Sequence, residues 1–237
     1  MFQKILAATI LLTPGLLWSA PQPLRIMPLG DSLTQASPGY RAPLAEALTK
    51  AGYKFEMIGS SISDPKLDTH TNHEGHGGFT IGPGKSKADE WANGKGNLFD
   101  NLVQWLAPKP DLILLLIGTN DFFITADLQP GYDPNVHGPA RLGALLDKIH
   151  SLSPASRIVV ASIPPVEWDE NFAKGYNAGI PALAAARPYT TFADLRKMIG
   201  FVAGDWTPDK LHPSDLGYQK MAKAWFEVIT PLMEKNR

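Results

Sequence analysis

Cysteine is absent from the chain, so no disulfide framework stabilises the fold and its stability must come from an ordinary hydrophobic core. An excess of either charge is also lacking, because 22 Lys and Arg residues are balanced by 23 Asp and Glu residues. This balance argues against a surface that binds nucleic acid or another polyanion. The sequence has no repeat and no segment that resembles a linker. We therefore expect one domain over residues 21–237, a length sufficient for an α/β core.

A continuous apolar run of membrane-spanning length is missing from the amino terminus. The apolar stretch over residues 5–12 is short and is followed by Pro14 and Gly15, whereas a membrane span needs about 20 apolar residues. A basic start, a short apolar stretch and small residues ending at Ala20 are typical of a secretory signal peptide. We therefore expect residues 1–20 to be removed and the protein to be secreted, to the periplasm or the medium, without membrane contact afterwards. The cleavage site itself stays open, because a Trp and a Pro lie close to Ala20.

Apolar residues alternate between strand-like and helix-like patterns along the chain. The run Leu112–Ile117 is apolar throughout, as expected of a central strand covered by helices on both faces. Strands that alternate with helices predict an α/β domain with a parallel, doubly wound sheet, whose sites lie beyond the carboxyl ends of the strands. The predicted strands are 24–29, 54–58, 112–117, 157–163 and 189–193, and the predicted helices are 40–51, 97–106, 139–152, 177–186 and 216–234.

Two short motifs far apart in the sequence contain the side chains of a nucleophilic hydrolase. The first apolar strand ends at Leu29, and Ser32 follows after a Gly and an Asp. Near the other end of the chain, Asp209 precedes His212 by three residues, a spacing that lets one short turn hold both. A serine needs an adjacent base to become a nucleophile, and the base needs an acid to fix its tautomer. We therefore predict Ser32 as the nucleophile, His212 as the base and Asp209 as the residue that orients it.

Each polar residue near these motifs has a simpler explanation when it is taken alone. Ser32 could cap a helix, Asn120 could close an Asx turn, and Asp31 and Asp121 could brace loops. For Asp31 we keep a capping or loop-bracing role and for Asp121 a loop-bracing role, and we predict no chemistry for either. For Ser32 and Asn120, the presence of several motifs in one chain favours the catalytic interpretation.

Four ordered blocks resemble those of the GDSL or SGNH hydrolases. They are Gly30–Leu33, Gly75–Thr80, Gly118–Asp121 and Asp209–His212. The resemblance spans most of the chain after residue 20 and implies a flavodoxin-like three-layer sandwich around the parallel sheet. It also implies an oxyanion hole made by the backbone N–H groups of Ser32 and Gly78 and the side-chain amide of Asn120, in a reaction that needs no cofactor.

Within that superfamily, three segments are similar to carbohydrate esterase family 3, the acetylxylan esterases. These segments are Gly39–Arg41, His73–Ile81 and His212–Tyr218. Leu33 and Phe79 stand where the family pattern has Ile and Trp, and both differences are conservative. They bear on substrate detail and leave the chemistry unchanged.

Six residues are candidates for substrate contacts. Trp168 and Trp206 lie in loops that could border the site, where they could act as platforms for sugar rings. Tyr40 and Arg41 follow the nucleophile and could either contact substrate or begin the first helix. The other two, in the glycine-rich segment that we expect to shape the pocket, are His76 and Phe79.

The histidines of the glycine-rich segment also raise the question of a metal site. His70, His73 and His76 recur every three residues beside Glu74. However, the helical His-Glu-x-x-His pattern is absent and the glycines favour a loop. We therefore predict no metal and expect these side chains to form hydrogen bonds within the loop.

Together these features predict a secreted serine esterase that removes O-acetyl groups from polysaccharide through an acyl-enzyme. The resemblance implies acetylxylan as the substrate, and an acetylated carbohydrate is the predicted partner. A lipase, lysophospholipase or thioesterase activity on the same fold is the main alternative. A carbohydrate-binding domain without activity is a remote one, because every predicted catalytic residue is present.

Overall fold

A six-stranded parallel sheet forms the middle layer of the protein. The computed structural model describes residues 22–62, 71–84 and 96–233. The strands in chain order are β1 (Leu24–Gly30), β2 (Phe55–Met57), β3 (Glu74–Gly75), β4 (Leu112–Leu116), β5 (Arg157–Ala161) and β6 (Thr190–Ala193). Across the sheet the order is β2-β1-β4-β5-β6, and β3 pairs with the carboxyl end of β1. All of these pairs are parallel.

Helices cover both faces of this sheet. They are α1 (Ser32–Gln35), α2 (Arg41–Lys50), α3 (Leu98–Trp105), α4 (Pro134–Leu152), α5 (Lys174–Ala185), α6 (Leu195–Ile199) and α7 (Asp215–Met233), with a 3-10 helix at Thr119–Phe123. Buried residues of α2, α6 and α7 pack on one face, and those of α3, α4 and α5 pack on the other. The predicted three-layer α/β sandwich is therefore confirmed.

The sequence of β4 shows why the sheet is central. All five residues of the strand are buried. Successive side chains of a strand point to opposite faces, so Leu114 packs in the core beneath α2 and α7, whereas Ile113 and Leu115 pack beneath α3 and α4. A strand with apolar residues at every position is stable only when both faces are covered.

The order of the strands places a crevice at one edge of the sheet. From β1 the chain first moves outward to β2, and it then returns to add β4, β5 and β6 on the other side of β1. The direction of winding thus reverses between β1 and β4. In open sheets of this kind, ligands bind beyond the carboxyl ends of the two strands that flank the reversal. Ser32 follows β1 directly, and Asn120 lies just after β4.

All ten predicted strands and helices are present, and most of their ends lie within two residues of the prediction. The largest error is the start of α4, which was predicted at Pro139 but lies at Pro134. Asp133 caps this helix by accepting a hydrogen bond from the Asn135 N–H, and a Pro at the first helical position loses no bond, because that N–H is unpaired in any helix. The helix continues through Pro139.

Four short elements were not predicted. They are α1, β3, α6 and the 3-10 helix, and none has more than five residues. Segments this short carry no detectable apolar periodicity. The predicted signal peptide, residues 1–20, lies outside the described residues. In the three described ranges, no helix combines the length and the apolar character that a bilayer span requires.

Candidate active site

Ser32 is the first residue of α1, immediately beyond β1. The turn between strand and helix is tight: a Cβ on Gly30 would lie 2.1 Å from the Leu116 carbonyl oxygen of the neighbouring strand, so only glycine fits. Asp31 then caps α1 by accepting a hydrogen bond from the Leu33 N–H at 3.0 Å. The capping role predicted for Asp31 agrees with this geometry. The turn leaves Ser32 partly exposed at the edge of the sheet.

Asp31 is nevertheless an unusual cap, because its side chain is fully buried. Its Oδ1 accepts from Leu33, but its Oδ2 has no hydrogen-bond partner within the described part of the chain. Burial raises the pKa of Asp31 to about 6, against the lowering effects of the Leu33 N–H and of the nearby His212. The helix that carries the serine thus begins at a carboxyl group held away from water.

His212 joins Ser32 to Asp209 in one chain of hydrogen bonds. Its Nε2 lies 2.8 Å from Ser32 Oγ, although the two residues are 180 positions apart. Its Nδ1 lies 2.6 Å from Asp209 Oδ2. A carboxylate only accepts hydrogen bonds, so Nδ1 carries the proton and Nε2 of the neutral ring is left to accept from the serine. The structure therefore brings together the three residues predicted as nucleophile, base and orienting acid.

A tight turn holds Asp209 against His212. The other carboxylate oxygen of Asp209 accepts from the backbone N–H groups of Leu211 and His212, each at 2.9 Å, and from the Thr207 hydroxyl at 2.7 Å. Partial burial raises the pKa of Asp209, but the hydrogen bonds from His212, Thr207 and Leu211 outweigh it and hold the pKa well below its ordinary value. These hydrogen bonds therefore favour the ionised form of Asp209. The contribution of Thr207 was not predicted, although a hydroxyl two residues before an Asp is a recognisable turn pattern.

The glycine-rich segment lies beside the nucleophile. Glu74–Gly75 forms β3 and pairs with Leu29–Gly30, and the His76 N–H donates to the Gly30 carbonyl at 2.9 Å. Gly78 has a φ of +80°, a conformation that favours glycine. Within the part of the chain that the structure describes, neither the Gly78 N–H nor the Ser32 N–H makes a hydrogen bond. These two N–H groups are the backbone donors predicted for the oxyanion hole.

Asn120 lies in the 3-10 helix that follows β4. Its Nδ2 donates a hydrogen bond to the Phe79 carbonyl at 2.9 Å, which ties Asn120 to the segment that contains Gly78. The next residue, Asp121, is fully buried and accepts from the Ile81 N–H at 2.9 Å and from the Tyr132 hydroxyl at 3.1 Å. Burial raises the pKa of Asp121 to about 6, and the charge of Arg141 opposes the shift. Asp121 thus braces the loops around Asn120, in agreement with the role predicted for it.

His73, Glu74 and His76 form hydrogen bonds and ring contacts within the glycine-rich segment. Glu74 accepts from the Ser60 N–H at 2.6 Å and from His76 Nε2 at 2.9 Å. His76 also stacks on Trp105, with ring centroids 4.0 Å apart. His73 Nδ1 accepts from the Gly75 N–H at 2.9 Å, and burial lowers the pKa of His73 to about 3.

The third histidine considered as a metal ligand, His70, lies outside the described residues. Among those that the structure does describe, no group of three or more His, Asp or Glu side chains is arranged to hold a metal ion.

The substrate contacts predicted for Tyr40 and Arg41 are wrong, because neither side chain has exposed surface. Arg41 instead donates to the carbonyl oxygens of Thr34, at 2.8 Å, and of Thr71, at 2.5 Å. Tyr40 packs against Trp225, with ring centroids 5.8 Å apart. The alternative, that this pair begins the first helix, agrees with the start of α2 at Arg41.

The remaining candidates differ in exposure. Trp168 is half exposed, at the tip of a turn closed by a bridge between Val166 and Asp169. This turn contacts the loop that carries the predicted base, because the Glu167 N–H donates to the Lys210 carbonyl at 3.0 Å. Three other candidates are only partly buried: His76, Phe79 and Trp206.

A cleft of about 490 Å³ opens beside Ser32 and His212. A further cleft of about 430 Å³ continues from it between α2 and α7, and the two share Gly39, Asp215 and Tyr218 as lining residues. The connected clefts offer room for a substrate much larger than the ester itself. Another cleft of similar size, beside Leu24, opens near the amino ends of the strands, remote from the serine.

Comparisons with known proteins agree with this geometry. Residues 29–220 match the family of GDSL-like lipases and acylhydrolases. The chain is 30% identical over 236 residues to a multidomain esterase of Ruminococcus flavefaciens, a match that covers 89% of this chain and 29% of that protein. It is also 30% identical to a family 3 carbohydrate esterase of Clostridium thermocellum, whose structure matches with a TM-score of 0.72 over 90% of this chain and 98% of the other. A family 3 carbohydrate esterase from Talaromyces cellulolyticus, 23% identical, shares the fold with a TM-score of 0.70 over 90% of this chain and 99% of the other.

The matches differ in how much of each protein they cover. The chain spans only 29% of the R. flavefaciens protein, so that likeness concerns one part of a longer chain. The family match and the C. thermocellum structure each cover most of the present chain, and they confirm the family resemblance of the four sequence blocks. The chain belongs to the GDSL-like lipase/acylhydrolase family.

Proposed function

We propose that this esterase is secreted and removes O-acetyl groups from polysaccharide, principally from acetylated xylan. The observation that carries the proposal is the chain of hydrogen bonds from Ser32 through His212 to Asp209. These hydrogen-bonded residues lie beside an open cleft at the edge of the sheet. An ester on a polymer could therefore reach the serine without the polymer being enclosed.

The proposed reaction has two halves. In the first, Ser32 Oγ attacks the ester carbonyl carbon while His212 Nε2 takes the hydroxyl proton. The carbon–oxygen bond to the sugar then breaks, and the departing sugar oxygen takes that proton from His212. This leaves the acetyl group on Ser32. In the second half, His212 deprotonates a water that attacks the acetyl carbon, and the proton returns to Ser32 as acetate leaves. Asp209 stabilises the imidazolium in both halves.

Three donors are proposed to stabilise the negative oxygen of each tetrahedral intermediate. They are the backbone N–H groups of Ser32 and Gly78 and the side-chain amide of Asn120. The hydrogen bond to Phe79 fixes the orientation of the Asn120 amide, and an amide is a neutral donor that does not lower the basicity of a nearby histidine. Each such donor is worth about a hundredfold to a thousandfold in rate.

Carbohydrate is the substrate class that the surroundings of the cleft favour. The similarity to family 3 carbohydrate esterases supports an acetylated sugar. Trp168 supports it independently, because a half-exposed indole on a turn tied to the catalytic loop can stack against a sugar ring. A carboxyl group, Asp215, lines the cleft beside the serine and disfavours an anionic lipid head group there.

A direct test compares the wild type with S32A on acetylated xylan and measures the acetate released. We expect release by the wild type and none by the variant. Equal release by both would contradict the mechanism, and no release by either would contradict the substrate. Release from 4-nitrophenyl octanoate at a rate close to that from the acetate ester would instead favour a lipase or thioesterase.

Secretion rests on the sequence pattern of residues 1–20 alone. It is tested by expressing the full chain in a bacterial host with an export system and measuring the mass of the exported protein. We expect the protein in the periplasm or medium, shortened by about 20 residues. Retention in the cytoplasm at full length would contradict this part of the proposal.

A further inference from the structure

Gln35 links the helix of the nucleophile to the glycine-rich segment. It is the last residue of α1, one helical turn after Ser32, and its Oε1 accepts a hydrogen bond from the Gly77 N–H at 2.7 Å. No sequence motif includes this residue. The residue that it holds, Gly77, directly precedes the proposed oxyanion donor Gly78.

The hydrogen bond from Gly77 is formed at a close contact. A Cβ on Gly75 would lie 2.4 Å from the Gln35 backbone nitrogen, so β3 and α1 touch with no room for a side chain. A Cβ on Gly77 would lie 2.4 Å from Gln35 Oε1 and 3.7 Å from Ser32 Cβ. The Cα of Gly77 therefore lies alongside both the nucleophile and the glutamine amide.

Gly77 and Gly78 are the central residues of a β-turn. The Phe79 N–H donates to the His76 carbonyl at 3.2 Å, and the φ of +80° at Gly78 is typical of the third residue of a type II turn. The Gly78 N–H belongs to the central peptide of this turn, and that peptide points one way in a type I turn and the opposite way in a type II turn. Two adjacent glycines also give the unrestrained turn more conformational freedom than any other pair of residues. A contact that fixes the turn therefore also fixes the direction of the Gly78 N–H.

We propose that Gln35 is a positioning residue for the oxyanion hole. By holding the Gly77 N–H, it docks the turn onto α1, so that the N–H groups of Ser32 and Gly78 keep a fixed geometry relative to each other. An oxyanion donor must be in place before the reaction, because it contributes most when nothing has to reorganise. The inference rests on the proposed mechanism, in which Gly78 is one of the donors.

The chemistry of the side chain fits this role. The Gly77 N–H requires an acceptor, and the amide oxygen of Gln supplies one without placing a negative charge beside a developing oxyanion. Gln35 is exposed and water competes for the same N–H, so the effect of its removal is moderate. Only proline would remove the backbone donor of residue 78, and its ring cannot adopt the φ of +80° found there, so the test changes Gln35 and leaves the residues of the turn unchanged.

The test measures kcat and KM for 4-nitrophenyl acetate with Q35A and Q35M. Methionine keeps the length of the side chain but lacks the strong acceptor, so both variants should lose about three- to tenfold in kcat, with little change in KM. A trifluoromethyl ketone, which forms a tetrahedral adduct with the serine, should bind both variants more weakly by a similar factor. Q104A, an exposed glutamine on α3, is the matched control and should match the wild type, including its melting temperature.

A double-mutant cycle with G77A separates positioning from general disruption. Gly77 is not in a left-handed conformation, so Ala is tolerated by the backbone, but its Cβ would displace the Gln35 amide. G77A should therefore reduce kcat in the wild type and cost little in the Q35A background, where the amide is already absent.

Two results would overturn the inference: Q35A with the kcat of Q104A, or additive effects of Q35A and G77A. S32A is the control that separates a failure of this inference from a failure of the proposed mechanism, because activity retained by S32A would contradict the mechanism itself.

Discussion

Replacing Asp209 with asparagine should harm the enzyme more than removing the side chain altogether. In the structure, one carboxylate oxygen faces His212 Nδ1 at 2.6 Å, and the other accepts from Leu211, His212 and Thr207. In D209N the single amide oxygen would stay with these three donors, so the amide NH2 group would face Nδ1. Two donors cannot share a hydrogen bond, and the ring must therefore move its proton to Nε2.

The protonated Nε2 of D209N can no longer accept the Ser32 proton. We expect kcat/KM to fall by about ten thousandfold, as in other hydrolases in which the tautomer is inverted. In D209A neither tautomer is imposed, so the loss should be smaller, and both should fall short of the about millionfold loss from S32A or H212A. The assay is the hydrolysis of 4-nitrophenyl acetate, with active sites counted by a serine-directed phosphonate.

Folding controls make the comparison decisive. D209A removes acceptors from the 207–212 turn and should lower the melting temperature by several degrees, since each lost hydrogen bond costs about 1 kcal/mol. D209N keeps one acceptor and should melt closer to the wild type. If D209N retained as much activity as D209A, the tautomer argument would be wrong, and Asp209 would act mainly through its charge.

Three further predictions concern other parts of the site. The folded-state pKa of Asp31 is raised to about 6, so the stability that this group contributes is complete below pH 4 and is lost as the pH rises through 6. The change in unfolding free energy caused by D31N, measured by chemical denaturation, should therefore be more favourable at pH 7.5 than at pH 4.5 by about 2 kcal/mol. An equal effect at both pH values would refute the argument that this carboxyl group is buried. W168A should raise KM for acetylated xylo-oligosaccharides about three- to tenfold and leave the hydrolysis of 4-nitrophenyl acetate unchanged, whereas V103A, an exposed apolar residue on α3, should alter neither. G30A should fail to fold or lose several kcal/mol in thermal unfolding, because its Cβ would overlap the Leu116 carbonyl; a stable G30A would show that the two strands can separate at this point.

The convergence of Ser32 and Asn120 could be predicted because it follows from topology. Each comes after an apolar run that could only be a buried strand, and parallel strands end at the same edge of a sheet. His212 was different, because it follows no central strand. Its placement beside Ser32 was inferred from a spacing of three residues to Asp209 and from family resemblance, and only the coordinates show the 2.8 Å contact.

The errors concern residues whose environment is set by tertiary contacts. Arg41 was a candidate substrate contact, and a charged side chain is almost never buried without a partner of opposite charge. Its partners are backbone carbonyls, including those of Thr34 and Thr71, and no sequence pattern announces such contacts. Gln35 was overlooked for the same reason: its acceptor role depends on a turn 42 residues away in the sequence.

The two sides of the site are held by different physical means. Ser32 is fixed from below by buried groups, namely the Asp31 carboxyl, the Arg41 guanidinium and the contact of Gly30 with β4. Asp209 is half exposed and is fixed by hydrogen bonds within one turn. Burial is coupled to the stability of the whole domain, whereas a surface turn can reorganise alone. Substitutions of Gly30 or Arg41 should therefore lower stability and activity together, and substitutions in the 207–212 turn should lower activity with a smaller loss of stability.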